Sequence, residues 1–182
     1  MKIRTAIISA CFGLAVSAAI QVQAETLTVT VENATTAGRG AAIGTVTFTD
    51  EPDGMLVTTQ LDNLPPGVHK LAIHENPSCM HSTSSPGEAE AAKGAGDVLS
   101  MAHTTSEVAA PATGYKTGDM TSLTTDENGR VYQTMLIRGM QVSDIKERSV
   151  VIHQGPDLNP GEHKSTVRLT GADDRIACGV IR

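Results

Sequence analysis

The chain has 182 residues, of which 40% are hydrophobic but only 2% aromatic, and 20 acidic side chains outnumber 14 basic ones for a formal net charge of −6. That length suits one domain of ordinary size, and the acidic balance excludes non-specific nucleic-acid binding, which needs a basic surface. With two Phe, two Tyr and no Trp, the core must come from Val, Ile, Leu, Met and Ala, which suits a thin sandwich or barrel better than a large ring-lined pocket.

Residues 1–24 read as a secretory signal peptide. Lys2 and Arg4 form its charged start, Ile7 to Ile20 its apolar run, and Val22-Gln23-Ala24 a cleavage site before Glu25. The run is short for a span of ~20 residues and polar residues follow it directly, so no membrane span is expected after the leader is removed. Losing Lys2 and Arg4 takes the 14 basic residues to 12 against an unchanged 20 acidic, a net charge of −8 for residues 25–182. That segment keeps two cysteines, Cys79 and Cys178. An even count in an exported chain suggests one disulfide, the alternative being two buried thiols.

Glu25 to Glu32 sets Leu27, Val29 and Val31 against threonines, the period of a half-buried strand. Ala34 to Gly40 reads as a turn-rich link. Ala42 to Thr49 and Met55 to Leu61 are strands, divided by the turn signature Glu51-Pro52-Asp53-Gly54. Leu64-Pro65-Pro66-Gly67 turns into a central strand, Lys70 to Glu75, which ends at Asn76-Pro77. Met80 to Lys116 has no strand period, and within it Glu88 to Lys93 has the composition of one or two helical turns. Further strands are expected at Thr121 to Thr125, Arg130 to Ile137, Arg148 to His153, Ser165 to Thr170 and Ile176 to Ile181. Asp126 to Gly129 forms a hairpin turn and Gln154 to Lys164 a second polar loop. The fold class is all-β, an antiparallel barrel or sandwich of about eight strands without a long helix.

The central strand carries the chemistry. Side chains alternate faces, so Leu71 and Ile73 point to the core while Lys70, Ala72 and His74 share the other face. His74-Glu75-Asn76-Pro77-Ser78-Cys79, the segment from Val150 to Asp157, and Arg175-Ile176-Ala177-Cys178-Gly179-Val180-Ile181 together resemble the copper/zinc superoxide dismutases, in particular the bacterial periplasmic branch. The resemblance runs from Ile43 to Ile181 and implies an eight-stranded antiparallel Greek-key barrel, a Cys79–Cys178 disulfide and a periplasmic location.

The family pattern His-Gly-Phe-His-x-His-Glu-Asn-Pro-Ser-Cys reads here with Ala72 at one metal-binding histidine and His74 at the other. His153 matches a further copper ligand, and Asp97 falls at the position of the histidine that bridges copper and zinc. Asp119 matches the zinc-binding aspartate, Lys116 stands where a zinc histidine would be, and His103 lies near the remaining zinc position. Arg175 matches the arginine that guides the superoxide anion. Asp157 matches the aspartate that joins the two metal sites, and His69 a histidine that is not a ligand. Copper is therefore the candidate cofactor, with a weak two-histidine half-site suited to nitrogen donors, and a family-type zinc site is not expected. Met80-His81, Met101 with His103, and Met120 add soft donors suited to Cu(I).

Superoxide and the copper ion are the expected partners, and nucleic acid is not one. Three functions follow: a non-dismutating scaffold, a copper-binding derivative, or, as the alternative, an active dismutase with a rearranged site. The substitutions at Ala72, Asp97 and Lys116 argue against full activity.

Overall fold

In a computed structural model, residues 24–83, 87–100, 118–155 and 175–182 are described, with the side chains of Asp119 and Thr121 left aside. Ten strands are β1 (Thr26–Thr35), β2 (Gly38–Glu51), β3 (Gly54–Leu61), β4 (Gly67–His74), β5 (Ser82–Thr83), β6 (Ala89–Glu90), β7 (Asp119–Thr125), β8 (Val131–Arg138), β9 (Arg148–His153) and β10 (Arg175–Ile181). Eight of them form one antiparallel sheet in the order β7-β4-β9-β10-β1-β2-β3-β8, and β5 pairs with β6. The edges β7 and β8 approach each other, with Gln133 Nε2 donating to the Ser122 carbonyl at 3.2 Å, so the sheet nearly closes into a barrel. The jumps from β3 to β4 and from β8 to β9 give it its Greek-key order.

The period-2 pattern decides what lies inside. Val29 and Val31 of β1, Val46 and Phe48 of β2, Met55, Val57 and Leu61 of β3, and Leu71 and Ile73 of β4 are all buried. The alternate positions of β1 and β2 form an outer rank of threonines, in which Thr26 pairs with Thr49 at 3.3 Å and Thr28 with Thr47 at 3.1 Å. Cross-strand hydroxyl pairs of this kind each add a few tenths of a kcal/mol to about 1 kcal/mol. At Gly44 the backbone φ is 139°, and a Cβ would overlap the Gln60 carbonyl oxygen of β3; only glycine lets the two strands run this close.

The strands confirm the expected architecture, with three local differences. Ala34 to Gly40 is no loose link: β1 and β2 run on to a tight hairpin in which Thr35 sits opposite Gly38 and donates from Oγ1 to its carbonyl at 2.8 Å. Glu88 to Lys93 forms no helix, because Ala89 and Glu90 are taken into pairing with Thr83 and Ser82; only a 3₁₀ turn follows, at Lys93–Ala95. A single helical turn, α1 (Val142–Ile145), is docked by the Val142 amide on Asp50 Oδ1 at 2.7 Å. Residues 1–23 of the expected signal peptide (1–24) and the expected strand at Ser165 to Thr170 lie outside the described residues.

Among the described residues no helix is long and apolar enough to cross a membrane. Cys79 and Cys178 are joined in a disulfide, with Cα atoms 5.6 Å apart and a sequence separation of 99. The disulfide fastens the segment after β4 to β10 and lies in a small second core with Ala92, Ala95 and Val151 on the outer side of the sheet. A flap of chain around 92–98 thus covers the outer face of β4, β9 and β10, where the candidate site lies.

Candidate metal centre

The site is built by strand register. Across β4 and β9, Lys70 lies opposite His153, Ala72 opposite Val151, and His74 opposite Ser149. Across β9 and β10, Arg175 lies opposite His153. Directly opposed residues share a face, so Lys70, His153 and Arg175 stand abreast on three adjacent strands, with Ala72 and His74 further along the same side of β4.

From that row the two imidazoles lean towards each other. His74 Nε2 and His153 Nε2 are 3.0 Å apart, with ring centroids 5.2 Å apart and planes inclined by 22°. Both are buried, as is the Ala72 methyl that lies between them on β4. His74 Nδ1 lies 3.0 Å from the Gly96 carbonyl. A carbonyl only accepts, so Nδ1 carries the proton and the Nε2 lone pair faces His153, whose Nε2–H donates to it.

The electrostatics keep His74 uncharged. Burial pushes its pKa down from 6.5 to about 3, an effect that the Gly96 carbonyl opposes and that His153, Arg175 and Lys70 reinforce by charge. This has a sign. The unfolded chain takes up a proton near its ordinary pKa of 6.5, whereas the fold refuses it until about 3, so the unfolded state binds more protons between those values. The metal-free protein should therefore lose stability as the pH falls from 6.5 towards 3, by at most about 1.4 kcal/mol per pH unit from this residue. Urea midpoints at pH 7, 5 and 4 would show it, and His74→Gln should flatten the slope; an equal slope in that variant would assign the loss to other groups.

Arg175 closes one side of the site. Its Nη1 donates to the Ala92 carbonyl at 2.9 Å and its Nη2 to the Gly96 carbonyl at 2.7 Å. Burial lowers its pKa while Glu90 and Asp97 pull the other way. The Gly96 carbonyl thus receives both His74 and Arg175, which ties the flap to the imidazole pair. Asp97 itself is exposed: its carbonyl accepts from the Glu75 amide at 3.0 Å, and its carboxylate acts on Arg175 by charge.

His69 points to the opposite, inward face. Its Nε2–H donates to the Pro65 carbonyl at 2.7 Å, and in that tautomer its Nδ1, 3.3 Å from the His153 carbonyl, has no proton to give it. Asp119 is placed by its backbone at the start of β7, opposite Ala72. His103, Lys116 and Asp157 lie outside the described residues. Of the soft donors, Met80 is half exposed beside the exposed His81, and Met120 packs against the core.

The register therefore brings together His74, His153 and Arg175, and it leaves Asp97 at the surface. Alternation along β4 had already put Lys70 on the face of His74. The Gly96 carbonyl escaped the sequence reading, because a backbone acceptor in an irregular segment leaves no residue-type signal.

The arrangement tests the fit of a metal. Two imidazole nitrogens at 3.0 Å, converging on one point, have the spacing of neighbouring donors around one ion held at about 2.0–2.1 Å. A ligand histidine normally anchors its other N–H on a carbonyl or carboxylate, as His74 does on Gly96. His74 presents a free Nε2 lone pair, whereas His153 Nε2 carries the shared proton, which must leave that nitrogen before both can hold one ion. The pair fits a copper half-site. Among the described residues no group of three or more His, Cys, Asp or Glu side chains gathers around one point, so within them no four-ligand zinc site is assembled.

Known proteins agree with this frame. The family model for copper/zinc superoxide dismutase (SODC) matches residues 42–181. A copper/zinc superoxide dismutase of Escherichia coli K12 is 32% identical over 170 residues, which cover 93% of this chain and 95% of the relative. One from Brucella abortus biovar 1 is 31% identical over 163 residues, covering 87% and 89%. The solved Brucella abortus enzyme superposes with a TM-score of 0.73 at 29% identity, over 87% of this chain and all of the other.

Proposed function

The chain belongs to the copper/zinc superoxide dismutase family, and we propose that within it this protein is an exported copper-binding member that holds one ion through His74 and His153 and does not turn over superoxide at the rate of the full enzyme. The observation that carries this reading is the 3.0 Å approach of the two Nε2 atoms over Ala72. Two of the family's imidazoles meet as donors to one ion would, and the position between them on β4 supplies only a methyl group. Residues 1–24, in this proposal, direct the chain to the periplasm and leave residues 25–182 as the working domain.

The chain's own residues divide the work. His74 offers its Nε2 lone pair, and His153 its Nε2 once the proton shared between them is released. The Gly96 carbonyl fixes the His74 tautomer, and the flap excludes water from both rings. Copper supplies the redox-active centre on which the family's chemistry depends.

The test is retention. Metal-free protein loaded with copper and desalted should carry one ion per chain by mass spectrometry of the metal. His74→Ala and His153→Ala should each reduce that retention at least tenfold, the effect of losing about 1.4 kcal/mol of binding. Superoxide consumption should not rise above that of the same copper free in buffer. Equal retention by wild type and both variants would sink the assignment, and turnover well above the free-ion rate would restore the enzyme reading.

A further inference from the structure

The turn from β7 to β8 carries a reactive pair that neither the barrel nor the metal centre uses. Asn128 is followed by Gly129, the one Asn-Gly step in the chain. We infer that Asn128 is a modification site that the fold keeps dormant: Asp126 holds both reacting groups, and Asn128 converts to aspartate or isoaspartate only when this turn opens.

The chemistry is intramolecular. The Gly129 backbone nitrogen gives up its proton and attacks Asn128 Cγ. The Cγ–Nδ2 bond breaks, Nδ2 leaves with that proton as ammonia, and a cyclic succinimide remains. Water then opens the ring at either carbonyl. One opening restores a normal chain with aspartate, and the other leaves isoaspartate, with the chain running through Cγ. Water is consumed, ammonia is released, and no oxidant or cofactor takes part. A following glycine has no Cβ to obstruct the attack, so in an open chain this step is the most exposed to it.

Three observations assign the guard. First, the fold demands glycine at 129. Its φ is 74°, a Cβ there would overlap the Leu64 carbonyl oxygen, and the Leu64 amide donates to the Gly129 carbonyl at 3.0 Å. Second, the attacking nitrogen is engaged. The Gly129 N–H donates to the Asp126 carbonyl at 3.0 Å, the bond that closes the turn, so the proton that must leave is held there.

Third, the group under attack is engaged by the same residue. Asp126 Oδ1 accepts the Asn128 amide at 2.9 Å and the Arg130 amide at 2.8 Å, and the Asn128 side-chain amide acts on the carboxylate as a further donor. These bonds, that of the Arg130 amide foremost, hold the Asp126 carboxyl below its ordinary value, so it is an ionised acceptor at neutral pH. Asn128 is itself exposed, so nothing but this clamp separates it from water.

Conversion would reach beyond the turn. Isoaspartate adds an extra atom to the backbone and draws Gly129 away from Leu64. Leu64 opens the segment in which the Pro65 carbonyl accepts from His69 and from Thr125, at the entry to β4.

The experiment incubates the disulfide-intact protein at one mildly alkaline pH, folded in buffer or unfolded in urea. Peptide mapping follows residue 128, and methylation by an isoaspartyl methyltransferase counts the isoaspartate. Folded wild type should convert at least about tenfold more slowly than unfolded, as for a turn open less than about a tenth of the time. Asp126→Ala, checked as folded by circular dichroism, should convert several-fold faster than folded wild type. Asp126→Ser keeps an acceptor oxygen for the turn amides and should fall between the two. Equal rates in folded and unfolded wild type would overturn the inference, and that comparison holds even where the alanine variant does not fold. A folded Asp126→Ala no faster than wild type would overturn the role given to Asp126. An unfolded chain that leaves Asn128 unconverted would overturn the site itself.

Discussion

Serine at both Cys79 and Cys178 should lower the stability of the folded protein by about 4–5 kcal/mol. The bond closes a loop across 99 residues of sequence, and in the chain-entropy picture a loop of that size constrains the unfolded chain nearly as much as a single crosslink can. The loss is a large part of the roughly 5–15 kcal/mol that holds a typical domain together. The effect is also local. The disulfide packs with Ala92, Ala95 and Val151 and holds the flap whose Ala92 and Gly96 carbonyls receive Arg175. Urea unfolding of the oxidised wild type against the double serine variant would give the global figure. Amide exchange at Gly94 and Gly96, whose N–H groups donate to the Met80 and Lys93 carbonyls, should quicken more than exchange in β2 and β3. A stability loss below about 1 kcal/mol would mean that the unfolded chain is already compact enough to make the crosslink redundant.

Histidine at Ala72 should have opposite effects with and without metal. The Ala72 methyl is fully buried between two imidazoles that share one hydrogen bond. A third ring there must part the first two, and overfilling a closed space costs about 1–3 kcal/mol. The metal-free Ala72→His variant should therefore melt lower than wild type. With copper the new nitrogen adds a donor at the point where the other two converge, and affinity should rise roughly a hundredfold, or about 2.8 kcal/mol. Chelator competition measures the affinity and thermal melts with and without copper the stability. The variant should also gain a Cu(II) EPR signal in air, because three imidazoles come closer to the donor set that ion prefers. Unchanged affinity would mean that the outer face of β4 does not present position 72 to the ion.

Much of this site could be read before the fold was seen, for a physical reason. A strand with one buried face writes its geometry into alternate residues, so Leu71 and Ile73 against Lys70, Ala72 and His74 already separate core from site. The motif Glu75 to Cys79 and the tail Arg175 to Ile181 placed the disulfide and the arginine. Alternation does not carry across strands, however. That Lys70 rather than Ala72 faces His153 depends on the β4–β9 register, which is set jointly by packing and turns. The flap was least readable: Glu88 to Lys93 has helix-forming residues, yet pairing with Ser82 and Thr83 overrides their local preference. Asp97 shows the same limit from the other side. The family resemblance sets it at the place of a bridging ligand, whereas its exposure leaves it as a countercharge to Arg175.

The position of β10 affects when the molecule can form at all. It lies between β9 and β1, so that Glu32 and Cys178 sit side by side. A nascent chain that lacks residues 175–181 can zip up β1, β2, β3 and β8 by neighbouring contacts, but only the approach of β7 to β8 then joins that half to β4 and β9. Such distant pairing makes folding slow and late. Under the export proposed for residues 1–24, a chain emerging from the ribosome would stay open long enough to be threaded through a translocation pore before its barrel locked shut.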